Sequence, residues 1–138
     1  MNLAQRYSQG VRLRIGLFPF IIIKYAGASQ GGDKRYAHLQ LLLQAPGDRK
    51  HKRYRTCHYD AWVNLITFLT GFCPERASLP FNRYNGELLI SRTDTGLILV
   101  DCHLAQDDRG PKIRYSFEVM QDNVWVPPYL EKFGQRNE

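Results

Sequence analysis

Residues 36–44, YAHLQLLLQ, decide the fold of this chain because their odd-numbered positions are apolar and most of their even-numbered positions are polar. A period of two residues is typical of a β-strand that buries one face. Residues 11–17, 97–104 and 113–119 show the same period. The sequence therefore predicts a sheet-rich fold.

Further strands and the turns between them follow from shorter signals. Apolar and β-branched residues predict strands over 20–25, 53–57 and 88–91. Gly, Pro, Asn and Asp predict turns at 27–33, 46–48, 85–86, 93–96 and 107–111. Strands that follow one another through such short turns are expected to pair antiparallel.

One segment has the pattern of a helix. Asp60 is a good N-cap, no helix breaker occurs over 61–70, and Gly71 is a typical stop. A shorter helix is predicted to begin at Pro127–Pro128, since proline suits the first helical turn. The fold class is therefore α+β, a mainly antiparallel β-sheet with one clear helix, at about 61–70, and a short C-terminal helix.

The length of 138 residues suits one domain, 1–138, but its charge is uneven. Residues 1–56 hold eleven Lys and Arg against two acids, a net charge of +9, and residues 57–138 hold eight against eleven, a net charge of −3. A basic half next to a mildly acidic half suggests a polyanionic partner. Both halves consist of strands followed by a helix, so a degenerate strand-helix repeat is a further hypothesis.

The cysteine count and the apolar runs predict an intracellular protein of the cytoplasm or nucleoid that is not secreted. Three cysteines without a CxxC pair are unlike a disulfide framework. The apolar run 15–23 imitates a signal peptide, but Pro19 divides it and Lys24 closes it. No run reaches the roughly 18 apolar residues of a membrane span, so no membrane partner is expected.

Cations and aromatic residues are interleaved in the basic half, most densely at 49–55, RKHKRYR. Single-stranded nucleic acids bind to surfaces of this kind, because cations follow the phosphates and aromatic rings stack on bases of any sequence. The predicted nucleic-acid-binding residues are Lys24, Tyr25, Lys34, Arg35, Tyr36, His38, Lys50, Lys52, Arg53, Tyr54 and Arg55.

Catalytic and metal chemistry find little support in the residues. The His and Cys spacings match no zinc motif, and residues 27–32 lack the GK[ST] of a phosphate-binding loop. Cys102 lies on an apolar strand face, where a thiol is expected to be inert. We therefore expect no enzyme activity, no cofactor, no metal and no catalytic residues.

The span from about Phe20 to Phe72 resembles the single-stranded-DNA-binding module of the transcriptional coactivator positive cofactor four and the Whirly proteins. That family has paired strands, a basic turn, a strand of the type Lys-Gly-Ile-Ser-Leu, and a helix with Trp and Leu at fixed positions. The matching positions are Arg53, Thr56, Cys57, Trp62 and Leu65. Tyr54 and Arg55 depart from Gly-Ile. A second unit over 86–133 would suit the two-unit Whirly arrangement.

The leading hypothesis is a protein that binds single-stranded DNA or RNA with low sequence specificity through a basic-aromatic sheet face. The alternative is a small inhibitor, immunity or anti-defence protein of a phage or mobile element, which targets a nucleic-acid enzyme. In that case the basic face would meet an acidic protein partner. The sequence leaves open whether the chain forms a homo-oligomer.

Overall fold

A computed structural model describes residues 11–44, 51–71, 75–81, 86–105 and 112–127. The regular elements of these ranges are β1 (Val11–Ile15), β2 (Phe20–Gly31), β3 (Lys34–Gln44), β4 (His51–His58), α1 (Tyr59–Leu69), β5 (Arg76–Pro80), β6 (Gly86–Arg92), β7 (Ile98–Ala105), β8 (Lys112–Val119) and β9 (Val124–Trp125). A 3-10 turn, Gln121–Asn123, joins β8 to β9.

The strands form two antiparallel sheets, which confirms the predicted α+β class. The first sheet has the order β4-β3-β2-β1-β9 and the second β5-β6-β7-β8. Each contains four consecutive strands that pair as a meander, and α1 connects the two meanders. The predicted C-terminal helix lies beyond Pro127, outside the described residues.

One hydrophobic core lies between these elements. It contains side chains of β1–β4, α1 and β5–β8, among them Leu39, Trp62 and Val100. The first sheet turns one side toward this core, which we call its covered face. The opposite side, its open face, carries the residues that alternate with the core positions: Arg12, Arg14, Ile22, Lys24, Tyr36, His38, Gln40, Leu42, Tyr54, Thr56, His58 and Trp125.

The predicted turn over 27–33 is wrong, because β2 continues to Gly31 and pairs with the start of β3. The register shifts at a bulge between Tyr25 and Gly27, which adds one residue to β2. Only Gly32 and Asp33 connect the two strands, and Gly32 has a φ of 64°. The hairpin was missed because residues 26–31 are small or polar and show no apolar alternation.

The ends of β1 and α1 also differ from prediction. The strand ends at Ile15, and Leu17 is 65% exposed instead of continuing the buried face. Gly16 turns the chain with a φ of 95°, where a Cβ atom would meet the Pro19 carbonyl oxygen at 2.6 Å. The N-cap of α1 is His58, so Asp60 belongs to the first turn. The predicted stop is confirmed, since Gly71 has a φ of 87° and donates to the Phe68 carbonyl.

Within the described ranges, no helix has both the length and the apolar character that are needed to cross a membrane.

Candidate functional site

Polar side chains form a continuous row across the open face. The strand register places Arg12 opposite Lys24, Lys24 opposite Gln40, and Gln40 opposite Tyr54. Directly opposed residues of neighbouring antiparallel strands project to the same side. The row therefore crosses β1, β2, β3 and β4 with two cations at one end and an aromatic ring at the other.

A second row runs beside the first and reaches the other edge of the sheet. Trp125 of β9 is opposite Arg14, Arg14 is opposite Ile22, and Ile22 is opposite Leu42. Ile22 and Leu42 are half-buried apolar residues, so the part of this row on β2 and β3, between Arg14 and β4, is apolar. Together the two rows provide cations, apolar surface and aromatic rings on one side of the sheet.

Two aromatic rings of the open face are available to a ligand. Tyr54 is 69% exposed and Trp125 is 57% exposed. The Tyr54 hydroxyl accepts a hydrogen bond from Gln40 Nε2 at 2.8 Å, which holds the phenol near the sheet. Tyr36 is half-buried and stacks on His58 with the ring centroids 5.3 Å apart. Tyr54 and Trp125 are thus the rings best placed to stack on a base.

The guanidinium of Arg14 is held in one position. It lies over the Phe20 ring, 4.3 Å from the centroid, which is a cation–π contact. Its Nε and Nη2 each donate to a carbonyl oxygen at 2.9 Å, those of Gly16 and Leu17. Because a guanidinium has five N–H donors, these two bonds leave capacity for an anion. Arg14 is therefore a pre-oriented cation next to Trp125.

His38 is tied to its neighbours through both ring nitrogens. Nδ1 lies 3.1 Å from the Thr56 hydroxyl and Nε2 lies 2.7 Å from the Ser29 hydroxyl. A neutral imidazole has one donor and one acceptor nitrogen, and each hydroxyl can take the complementary role. The His38 ring is thus held on the open face by contacts with β4 and β2.

Four predicted site residues do not have the strand register of the open face. Tyr25 is 4% exposed in the core, where its ring stacks on Trp62 at 5.7 Å, so the expectation that it meets a ligand is wrong. Arg35 lies over the Tyr59 ring of α1 at 4.0 Å. Arg55 is half-buried. In the strand register it lies opposite core residue Leu39, and Arg53 lies opposite core residue Leu41, so both positions belong to the covered face.

The predicted residues are divided between the two faces because strand side chains alternate. Lys24 and Tyr25 are neighbours in sequence, but consecutive residues of a strand project to opposite sides. The same rule separates Arg35 from Tyr36 and Arg55 from Tyr54. A cluster of adjacent cations and aromatics on a strand therefore supplies only half of its members to one face.

The remaining predicted site residues differ in their position relative to the open face. Lys24, Tyr36, His38 and Tyr54 belong to the open face, and exposed Lys34 continues the Tyr36 side of β3 at the hairpin end. The backbone of Lys52 pairs with Leu42, a residue of the open face. Lys50 lies outside the described residues.

Arg12, Arg14 and Trp125 belong to the open face but were not among the residues that sequence analysis predicted for the site. The alternation of residues 11–17 already separates both arginines from the apolar face. For Trp125 no comparable signal exists, since it stands between Val124 and Val126. Only the pairing of β9 with β1 reveals its side of the sheet.

The open face is one-signed. None of its twelve residues, as defined above from the described strands, is acidic. The outer side of the second sheet is mixed by contrast, because exposed Arg114 pairs with Asp101 at 3.1 Å and His103 lies 3.2 Å from the same carboxylate. The open face as described thus carries fixed charge of positive sign only, which favours an anionic ligand.

The described thiols are unsuited to catalysis. Burial raises the pKa of both Cys57 and Cys102 to about 12, and the nearby Asp101 carboxylate adds to the effect on Cys102. A thiol with so high a pKa holds almost no thiolate near neutral pH. Among the described residues no group of three or more His, Cys, Asp or Glu is arranged to hold a metal ion.

These thiols should resist alkylation while the protein is folded. In a Cys73→Ser background, we expect iodoacetamide at pH 8 to label neither Cys57 nor Cys102 until denaturant unfolds the chain, because both are buried and protonated. Mass spectrometry of native and unfolded samples measures the labelling. Rapid labelling of Cys102 in the native sample would contradict its burial and raised pKa.

Comparisons of the chain with protein-family models, curated proteins and solved structures find no match.

Proposed function

We propose that the protein binds single-stranded nucleic acid, with low sequence specificity, through the open face of its first sheet. The observation that carries this proposal is the row Arg12–Lys24–Gln40–Tyr54, together with the absence of acidic residues from the open face as the structure describes it. Cations provide affinity for the phosphates, and the exposed rings stack on bases.

Low sequence specificity follows from the chemistry of the open face. Reading a base requires side chains that are free to bond its edge, and we assign the arginines of the open face to phosphates instead. The Gln40 amide already donates to Tyr54, and His38 already contacts two hydroxyls. Lysine contacts with phosphates and stacking on rings do not distinguish sequences.

We also propose a distant relationship to the Whirly and positive-cofactor-four family. The β1–β4 meander followed by α1 is the strand-helix order that the resemblance implies. Trp62, one of the matching positions, packs its indole against the sheet. A second four-stranded meander, β5–β8, supports the hypothesis of a repeat, although the helix predicted to end it lies outside the described residues.

The proposal is tested by fluorescence anisotropy with labelled single-stranded DNA, duplex DNA and RNA at low salt. We expect single strands to bind more tightly than duplex, because only unpaired bases can stack on Tyr54 and Trp125. Arg12→Glu should weaken single-strand binding about tenfold, since a charge-assisted contact contributes about 1.5 kcal/mol.

Arg76→Glu is the matched control for Arg12→Glu. Both arginines are exposed on strands and the change in net charge is identical, but Arg76 belongs to β5 of the second sheet. Equal losses in the two variants would mean that net charge alone drives binding and would contradict a site on the open face. Absence of binding to every oligonucleotide at low salt would overturn the proposed function.

A second candidate function is the binding of a protein partner, as an inhibitor of a nucleic-acid enzyme would do. The observation that favours it is a cluster of exposed apolar side chains around a cleft of about 210 Å³ between the β1–β2 turn and β8. Leu17, Phe18 and Met120 are 56% to 65% exposed there, and clustered apolar exposure is typical of protein interfaces. This candidate takes first place if oligonucleotides fail to bind.

A further inference from the structure

Trp125 is the most unusual residue of the open face, and the proposed function does not by itself require it. Its side chain is 57% exposed, and its strand β9 forms the edge of the first sheet, where it pairs with Arg14 and Ile15 of β1. The neighbouring residues Val124 and Val126 are half-buried against the core, so β9 is anchored on its covered side. The strand therefore presents the indole outward on a fixed backbone.

The surroundings of Trp125 are complementary to a nucleotide. The register puts it directly opposite Arg14, whose guanidinium is fixed by Phe20 and by two carbonyl oxygens. A base stacked on the indole would have its phosphate within reach of that guanidinium. Tryptophan and a pre-oriented arginine on neighbouring strands thus match the two parts of one nucleotide.

From this juxtaposition we infer that Trp125 stacks on a base and that Arg14 binds the adjacent phosphate, so that the nucleic acid crosses the open face from β9 to β4. The inference rests on the proposed function and extends it to a residue of the last strand. The second stacking position is Tyr54, at the opposite edge of the sheet.

The separation of the two rings sets the length of stacked strand that reaches both. Four strand spacings of about 4.8 Å separate β9 from β4, a span of about 19 Å. At the 3.4 Å per nucleotide of a stacked strand, this span corresponds to about six nucleotides. A dinucleotide can therefore occupy only one of the two rings, whereas an oligothymidylate of about ten nucleotides can reach both.

The test uses the full chain, an oligothymidylate of about ten nucleotides and the variant Trp125→Ala. We expect a loss of affinity of about 5- to 150-fold, the range for one stacked base. Trp125→Phe should retain most of the affinity, because a phenyl ring still stacks. Met120→Ala is the control, since it removes a similarly exposed apolar side chain outside the open face. Unchanged melting temperatures show that the variants are folded.

Intrinsic fluorescence provides a second readout, because the chain has two tryptophans and Trp62 is fully buried. Acrylamide should quench Trp125 in the free protein, and the oligonucleotide should protect it. The inference is overturned if Trp125→Ala binds the oligonucleotide normally and Trp125 stays accessible in the complex. If Arg12→Glu still weakens binding in that case, the proposed function survives without a contact at Trp125. No binding by the unmodified protein would remove both proposals.

Discussion

Trp62→Ala should lower the free energy of unfolding by about 3–5 kcal/mol, the usual cost of removing a buried tryptophan. Trp62 is 0% exposed and its ring lies nearly parallel to Tyr25. The alanine variant would leave a cavity between α1 and the covered face, with Tyr25 deprived of its stacking partner. Urea denaturation followed by circular dichroism measures the loss, which is a large part of the stability of a domain this size.

Two other variants control this experiment. Trp125→Ala removes the same side chain from an exposed position, so its stability should stay within about 0.5 kcal/mol of the unmodified protein. Trp62→Phe should cost less than Trp62→Ala, because it keeps an aromatic ring and removes an indole N–H that has no hydrogen-bond partner among the described residues. Equal costs for Trp62→Ala and Trp125→Ala would contradict the packing of α1.

The fold was predictable wherever a strand has one buried and one polar side. Residues 36–44 and 97–104 alternate clearly, and the structure buries the apolar members, among them Leu39, Val100 and Cys102. The prediction failed where both sides of a strand are exposed, as over residues 28–31 of β2. Strand β5 was also missed although its burial alternates, because only the two apolar residues Ala77 and Leu79 mark its buried side and the strand ends at Pro80. Where backbone hydrogen bonds define a strand and neither of its sides is buried, the local sequence shows no apolar alternation that would predict it.

The candidate site was predictable in its half of the chain but only partly in its members. Basic-aromatic clusters pointed to the sheet that carries the open face, yet Tyr25 stacks in the core and Arg35 lies on the helix. The position of Trp125 depends on a contact between β9 and β1, which are more than 100 residues apart in sequence. A pairing over such a distance leaves no mark in the local pattern of residues 121–127.

Binding of single strands should weaken steeply with salt if the open face contacts phosphates. About four to six contacts predict a slope of about −3 to −4 in a plot of log affinity against log salt, because each contact contributes about −0.7. Raising the salt from about 50 to 200 mM should then reduce the affinity about 60- to 250-fold. Anisotropy titrations of the same labelled oligonucleotide over this range measure the slope.

The cations and the rings of the open face should change different parameters in these titrations. Removal of two phosphate contacts by Arg12→Ala with Lys24→Ala should flatten the slope by about 1.4. Arg76→Ala with Arg114→Ala, an equal change of net charge on the second sheet, should leave the slope unaltered. Tyr54→Ala should cost about 1–3 kcal/mol of affinity at every salt concentration with the slope unchanged, because stacking releases no counterion. If the open-face cation variant and Tyr54→Ala altered slope and affinity alike, phosphate binding by the cations and base stacking on Tyr54 could not be separate functions.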